Sequence, residues 1–479
     1  MRSVNQERAP LYEALAGHLK KKYTGFHFPG HGGGRGMAPR LRALAGQLAD
    51  YDLTELPGLD DLHAPTGPIR QAEALAADLY GADASFFLVN GSTAGIQAMM
   101  LAQLRPGEKV ILPRNIHRAV VAGLVLSGAE PVYIPPPFDR DFGVCLGIPP
   151  ELLARIVREH PDARAVLLVH PNYFGVAGVT AEHAALTTGA DMGLLVDEAH
   201  GAHLPFQPGL PQPALASGAD AAVQSTHKMG GSLTQTALLH LKGDRLNPDA
   251  VRRVLRLLQS SSPSYPLMAS LDLTRRRLAR QGGRIVGRMV ELASELRLGL
   301  EGAGFPVLDA DMGQDSTKIL VSLRETGRTG LEAARLLRHR HRIQVELADP
   351  SNILFVIGSG ATREGIRRLL RAMVSLVVRR PTVSREKPTV PGGPPPIPHR
   401  VLTPREAFTA VSVTIHLTQS GGRVAAETVT VTPPGIPLVI MGEKITPEMI
   451  EYILEVRASG LPLTASDPSG DTLRVVAER

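Results

Sequence analysis

Gln224-Ser225-Thr226-His227-Lys228-Met229-Gly230-Gly231-Ser232 places a lysine on a polar turn, between an apolar run and two glycines. Upstream, a second apolar run, Leu194-Leu195-Val196, stops at Asp197. Lys228 and Asp197 read as the two poles of a pyridoxal phosphate site. The amine forms an imine with the cofactor aldehyde, and the carboxylate keeps the pyridine nitrogen protonated, which makes the ring an electron sink. The glycines let backbone approach a bound cofactor. This reading expects Lys228 in a restricted, partly desolvated space that lowers its pKa and favours imine formation. A lysine in such a turn with no carboxylate to face is ordinarily a surface residue.

Outward from that stretch, residues 73 to 242 alternate apolar runs with helical patterns, which predicts crossover units in a mostly parallel sheet. Strands are expected at Ser85–Val89, Lys109–Leu112, Pro131–Ile134, Ala165–Val169, Met192–Val196, Ala221–Gln224 and Thr236–Leu241, with a helix over Ala94–Leu104. Polar residues follow these strands one after another: Gly91-Ser92-Thr93, His117, Asn172-Tyr173, Asp197 with His200, and Ser225 with His227 and Lys228. Ligands of open α/β sheets bind beyond the carboxyl ends of strands, so these residues are expected to share one site.

Gly91-Ser92-Thr93, between a strand and a helix, offers amide and hydroxyl donors to a phosphate, with Ser225 and His227 adding more. Ser92 or Thr93 acting as an ordinary helix cap is the competing account. Asp197 at a buried strand end needs a partner, and a protonated pyridine nitrogen suits it. The alternatives are a helix cap or a metal site with His200 and His203. No metal is expected, because that spacing in a glycine-containing turn matches no zinc pattern and no cysteine pair assists. His117 is placed either to stack on the pyridine ring or simply to begin a helix.

The chain has 479 residues, 43% hydrophobic and 20% charged, which predicts several compact units of a globular protein. No apolar run is long enough to span a bilayer and the N-terminus shows no secretory pattern, so no membrane association and a cytoplasmic location are expected. The lone Cys145 is read as structural. A net charge of +6 and the basic run Thr274-Arg275-Arg276-Arg277 through Arg288 invite a nucleic-acid reading. Apolar residues interleave there at helical spacing, so an amphipathic helix with a solvated basic face is expected instead, and no nucleic acid.

The division expected is an N-terminal segment (1–72), a large α/β domain (73–300), a smaller α+β domain (301–380), a Pro/Gly-rich linker (381–398) and an α+β tail domain (399–479). The small domain should hold strands at Lys318–Leu323, Gln344–Leu347 and Ile353–Ile357 and helices at 330–340 and 362–378, after a long helix at 283–300. A turn-rich centre is expected at 432–437.

The chain resembles the ornithine/lysine/arginine decarboxylases of pyridoxal-phosphate fold type I, in their short form. The resemblance rests on Phe28-Pro29-Gly30-His31 and the glycines after it, on Asp52-Leu53-Thr54-Glu55-Leu56-Pro57-Gly58-Leu59-Asp60-Asp61-Leu62-His63, and on Asn90-Gly91-Ser92-Thr93. It rests also on Asp197-Glu198-Ala199-His200-Gly201-Ala202-His203, Ser225-Thr226-His227-Lys228, Pro404-Arg405-Glu406-Ala407-Phe408 and Pro433-Pro434-Gly435-Ile436-Pro437. It implies Lys228 as the imine lysine, Asp197 as the pyridine-nitrogen partner and His117 as the stacking ring. His200 would stand near the phenolic oxygen, with Ser92, Thr93, Ser225 and His227 around the phosphate. Gly32 stands where the family often has lysine, and Met441-Gly442-Glu443 replaces the usual Pro-Gly-Glu.

The activity implied is decarboxylation of a basic amino acid, arginine to agmatine before lysine or ornithine, in polyamine synthesis, by a homodimer or higher homo-oligomer. A cationic substrate side chain requires an acidic partner, for which Glu427 and Glu443 are candidates. An aminotransferase or Cα–Cβ lyase on the same fold is the alternative, since lysine and nitrogen partner are common to all of these. A transaminase would need an arginine such as Arg324 or Arg342 to hold the substrate carboxylate. A cofactor-binding protein without activity would not need Lys228, Asp197 and His117 together.

Overall fold

The computed structural model describes residues 5–309, 313–376, 393–431 and 436–478. In chain order the elements used below are α1 (Pro68–Tyr80), β1 (Ala84–Leu88), α2 (Gly91–Gln103), β2 (Lys109–Pro113), α3 (Arg118–Ser127), β3 (Glu130–Ile134), β4 (Ala163–Val169) and β5 (Gly193–Asp197). Then come β6 (Ala221–Gln224), α4 (Thr226–Met229), β7 (Ala237–Leu241), α5 (Tyr265–Gly302), β8 (Lys318–Ser322), α6 (Gly330–His341), β9 (Leu347–Ala348), β10 (Asn352–Val356) and α7 (Arg363–Leu376). The tail holds β11 (Ser412–His416), β12 (Val429–Val431), β13 (Ile436–Val439), α8 (Pro447–Ala458), β14 (Leu463–Thr464) and β15 (Thr472–Val476). The fold is mixed α/β with a mostly parallel central sheet, as expected.

The chain forms two compact units. The first comprises residues 1–103, 195–208 and 212–286. Its strands lie in the order β1-β7-β6-β5. β5 and β6 are parallel, whereas β7 runs antiparallel to both β6 and β1. α2 sits tightly on this sheet: a Cβ added to Gly95 would come within 2.6 Å of Leu88 Cδ1 and 2.8 Å of Val223 Cγ1. Leu11, Leu15, Ile69, Phe87, Leu238 and Met268 close a core beside it, each side chain stabilising by about 1.5–3 kcal/mol on burial. Asp60 fixes the start of α1, its carboxylate accepting the Thr66, Gly67 and Ile69 amides at 2.9, 2.8 and 3.0 Å. That gives the 52–63 motif a structural task.

The second unit comprises residues 104–194, 209–211 and 287–479. β2 lies parallel to both β3 and β4. β8, β10 and β9 form an antiparallel sheet whose core includes Leu296, Phe305, Ile319, Ile353, Leu337 and Met373. In the tail, β11 pairs with β15, and β12 lies between β13 and β14, around a separate core of Leu417, Val439, Met449, Ile453 and Val475.

Several expectations need correction. The long helix begins at Tyr265, well before residue 283. The basic run within it is not solvated throughout, because Arg275 is buried and pairs with buried Asp272 at 2.7 Å. The strand expected at 344–347 starts only at Leu347. α6 ends with Arg342 in the left-handed region and Ile343 bonding back to Leu337, so those residues cap the helix. In the turn expected at 432–437, Ile436 and Pro437 already belong to β13, and 432–435 lie outside the described residues. Residues 381–392 of the linker and 377–378 of the last small-domain helix also lie outside them, while 393–398 carry no helix or strand. Among the described residues no helix is long and apolar enough to cross a membrane.

Candidate active site

Register sets the site in the first unit. β5 and β6 are parallel neighbours with Asp197 opposite Val223, so whatever follows Gln224 emerges beside Asp197. The chain turns at once: the Ser225 amide donates to the Ala199 carbonyl at 3.3 Å, and α4 then lifts Lys228 one helical turn away from the strand. Lys228 Nζ stands 3.1 Å from His200 Nε2. Asp197 is buried, and its Oδ1 accepts the Ala199 amide at 3.1 Å, which orients the carboxylate at the strand end.

The third corner is the start of α2. The helix begins at Gly91, whose φ of +69° suits glycine, so Ser92 and Thr93 lie within its first turn rather than ahead of it as expected. The Ser225 hydroxyl donates to Ser92 Oγ at 3.0 Å and joins this helix end to the turn that carries Lys228. First-turn amides have no intrahelical acceptor, so they and the hydroxyls form an anion-binding corner. Thr93 is exposed at its edge. His227 Nδ1 lies 2.8 Å from the Thr236 carbonyl, which fixes that ring as a donor to backbone. Ser92, Asp197, His200, Ser225, His227 and Lys228 are thus brought together.

Other expectations fare differently. Lys228 is exposed, not enclosed: in the four-residue helix at the strand end Thr226 and Met229 are the buried residues. His117, in the second unit, is exposed and caps α3, its Nδ1 accepting the Ala119 amide at 3.2 Å. The two glutamates proposed for the substrate side chain carry structural contacts. Glu427 accepts from the Ser466 amide at 2.6 Å and the Arg474 amide at 2.7 Å. Glu443 is buried in a two-pronged pair with Arg114. The sequence reading also passed over Glu198, Gln224 and His240. Polar residues inside otherwise apolar strands were the available signal.

The donor set fits pyridoxal phosphate: an amine for its aldehyde, a buried carboxylate for its ring nitrogen, and hydroxyls with a helix N-terminus for its phosphate. Comparison with known proteins agrees. The model of the Orn/Lys/Arg decarboxylase major domain matches residues 9–304, and that of the family's C-terminal domain matches residues 395–462. The chain is 39% identical to a protein named arginine decarboxylase from Bacillus subtilis, over 99% of both chains. The lysine decarboxylase of Francisella novicida superposes with a TM-score of 0.87 at 20% identity, over 98% of this chain and 81% of that one. An alanine–glyoxylate aminotransferase from Nostoc shares the fold more loosely, with a TM-score of 0.55 at 18% identity over 68% of this chain and 89% of the other. On sequence over its whole length, with the cofactor chemistry of the β5–β6 corner, the chain belongs to the Orn/Lys/Arg decarboxylase family of pyridoxal-phosphate enzymes.

Proposed function

We propose that the chain decarboxylates arginine to agmatine and that Lys228, Asp197 and His200 do the chemistry. The observation that carries the activity is the 39% identity over 99% of both chains to the arginine decarboxylase of Bacillus subtilis, and Lys228 Nζ at 3.1 Å from His200 Nε2, beside the strand end that bears Asp197, carries the assignment of residues. When bound, pyridoxal phosphate supplies an electron sink for the pair left as the Cα–carboxylate bond breaks. Lys228 tethers it, Asp197 holds a proton at the ring nitrogen, and Ser92, Thr93, Ser225 and His227 take the phosphate. Lys228 or His200 returns a proton to the substrate Cα once CO2 has left. The relative of Bacillus subtilis supports arginine as the substrate.

Polyamine synthesis in the cytoplasm is the role proposed for this product. A homodimer is proposed as well, supported by Phe26 and Phe28, which are 96% and 81% exposed. Large aromatics so exposed call for a covering surface. The separate cores of 292–376 and of the tail support reading 301–380 and 399–479 as domains beside the large one, 73–300.

Arginine, lysine and ornithine supplied separately to the purified holoenzyme test this reading. CO2 and agmatine should form with arginine, and much less amine with the other two. Transfer of the amino group to a keto acid without CO2 would establish an aminotransferase instead.

A further inference from the structure

Four buried polar side chains cross the first unit's sheet. Ser85 Oγ lies 2.7 Å from His240 Nδ1, and His240 Nε2 lies 3.3 Å from Gln224 Oε1. Gln224 Nε2 donates to Glu198 Oε2 at 2.8 Å, and the Ala214 amide donates to Glu198 Oε1 at 2.8 Å. Above pH 7, where the Glu198 carboxylate is ionised, one assignment of protons satisfies every link. Both Glu198 oxygens accept, so the Gln224 amide points its nitrogen at Glu198 and its oxygen at His240. His240 must then carry its proton on Nε2, and its Nδ1 accepts the Ser85 hydroxyl. Burial pushes the Glu198 carboxyl up to about 7 against these two donors, and holds His240 neutral by pushing it down to about 3.

Two further contacts fasten this chain to the turn that follows β5. A Cβ on Gly201 would meet Glu198 Cγ at 2.5 Å and Cδ at 3.0 Å, so the glycine provides the space in which the glutamate folds beneath its own turn. The Tyr80 ring packs on His240 with centroids 4.7 Å apart, while its hydroxyl donates to the Ala202 carbonyl at 3.1 Å.

We propose that Glu198 is a positioning residue for the cofactor site, gripping the Asp197–His200 turn against the end of β6 that leads into Ser225 and Lys228. The inference rests on the function proposed above. Loss of the grip lets His200 shift relative to Lys228, and misplacements on the ångström scale are costly to catalysis. A buried network that serves only the fold would alter stability but not the cofactor.

A donor–acceptor exchange separates these roles. In Glu198→Gln the new N–H either faces the Ala214 donor, or faces Gln224 and is accommodated only if that amide turns over and His240 moves its proton to Nδ1, which takes the acceptor from the Ser85 hydroxyl. In Glu198→Gln with Gln224→Glu, the new amide oxygen at 198 takes the Ala214 N–H and its nitrogen donates to the new carboxylate at 224. The other oxygen of that carboxylate takes His240 Nε2–H, so every link is matched again.

The readouts are pyridoxal phosphate affinity, from absorbance titration of the apoprotein, and the apoprotein's melting temperature. Glu198→Gln should weaken cofactor binding on the order of tenfold, and the double exchange should return it to within about threefold of the parent. An unchanged affinity in the single variant overturns the proposal. So does a double variant that melts like the parent yet binds as weakly as the single one. Should the single variant fail to fold, Gly201→Ala decides: it displaces Glu198 without changing charge, and parental affinity there overturns the proposal. Lys228→Ala is the control, because retention of the lysine-dependent absorbance in that variant sinks the site reading itself rather than this inference alone.

Discussion

Arg114 and Glu443 form a buried ion pair in the second unit. The guanidinium holds both Glu443 oxygens, donates to the Leu438 carbonyl at 2.8 Å and lies 5.1 Å from the Tyr133 ring centroid. Glu443 also accepts the Ile440 amide at 2.8 Å. Removing one charge strands the other, so Arg114→Met should cost roughly 3–5 kcal/mol, read from the denaturant midpoint. Arg114→Met with Glu443→Leu should recover most of that loss. No sequence reading gives this partner, because the two residues stand 329 positions apart. A glutamate in the tail therefore read as a free acid. Cys145 was legible: it is buried, and burial pushes its thiol up to about 11. Iodoacetamide at neutral pH should leave the native protein unlabelled and active, and label it after unfolding.

At the scale of elements, the fit of α2 to its sheet makes Gly95→Ala informative. The added Cβ would approach Leu88 and Val223 within 2.8 Å, so the helix must shift, at a cost of roughly 1–3 kcal/mol. The α2 corner should move with it, and phosphate affinity for the apoprotein should fall.

His240 on β7 gives a pH signature. Its ordinary pKa is 6.5, and burial holds it near 3 in the folded chain. Above pH 6.5 neither state binds this proton and its contribution is complete; as pH falls below 6.5 the unfolded chain protonates first, so folding weakens. Glu198 acts in the opposite sense. Raised from 4.5 to about 7, it keeps a proton that the unfolded chain has lost, so its contribution declines as pH rises through that window. His240→Gln should therefore flatten the fall in melting temperature on acidification below pH 6.5. The strands at 84–88, 109–113, 221–224 and 237–241 were legible because short, mostly apolar runs end there in turn residues. Their order and the antiparallel sense of β7 were not, since pairing depends on contacts that composition does not encode.

For the whole molecule, three chemical groups far apart in sequence converge because a sheet aligns the ends of its strands. Asp197, Ser225 and Lys228 were legible as a set through that rule, and the register of β5 and β6 brings them to one corner. The enclosure expected around Lys228 was not found within the single chain. The homodimer proposed from the exposed Phe26 and Phe28 predicts that Phe26→Ser with Phe28→Ser shifts the protein toward monomer in sedimentation. The central claim is the tether between Lys228 and the cofactor. Borohydride reduction of the holoenzyme followed by peptide mapping tests it most directly. The account predicts pyridoxyl phosphate on the peptide containing Lys228, and none when Lys228→Ala is treated alike; label on Lys242 or another lysine instead would contradict it.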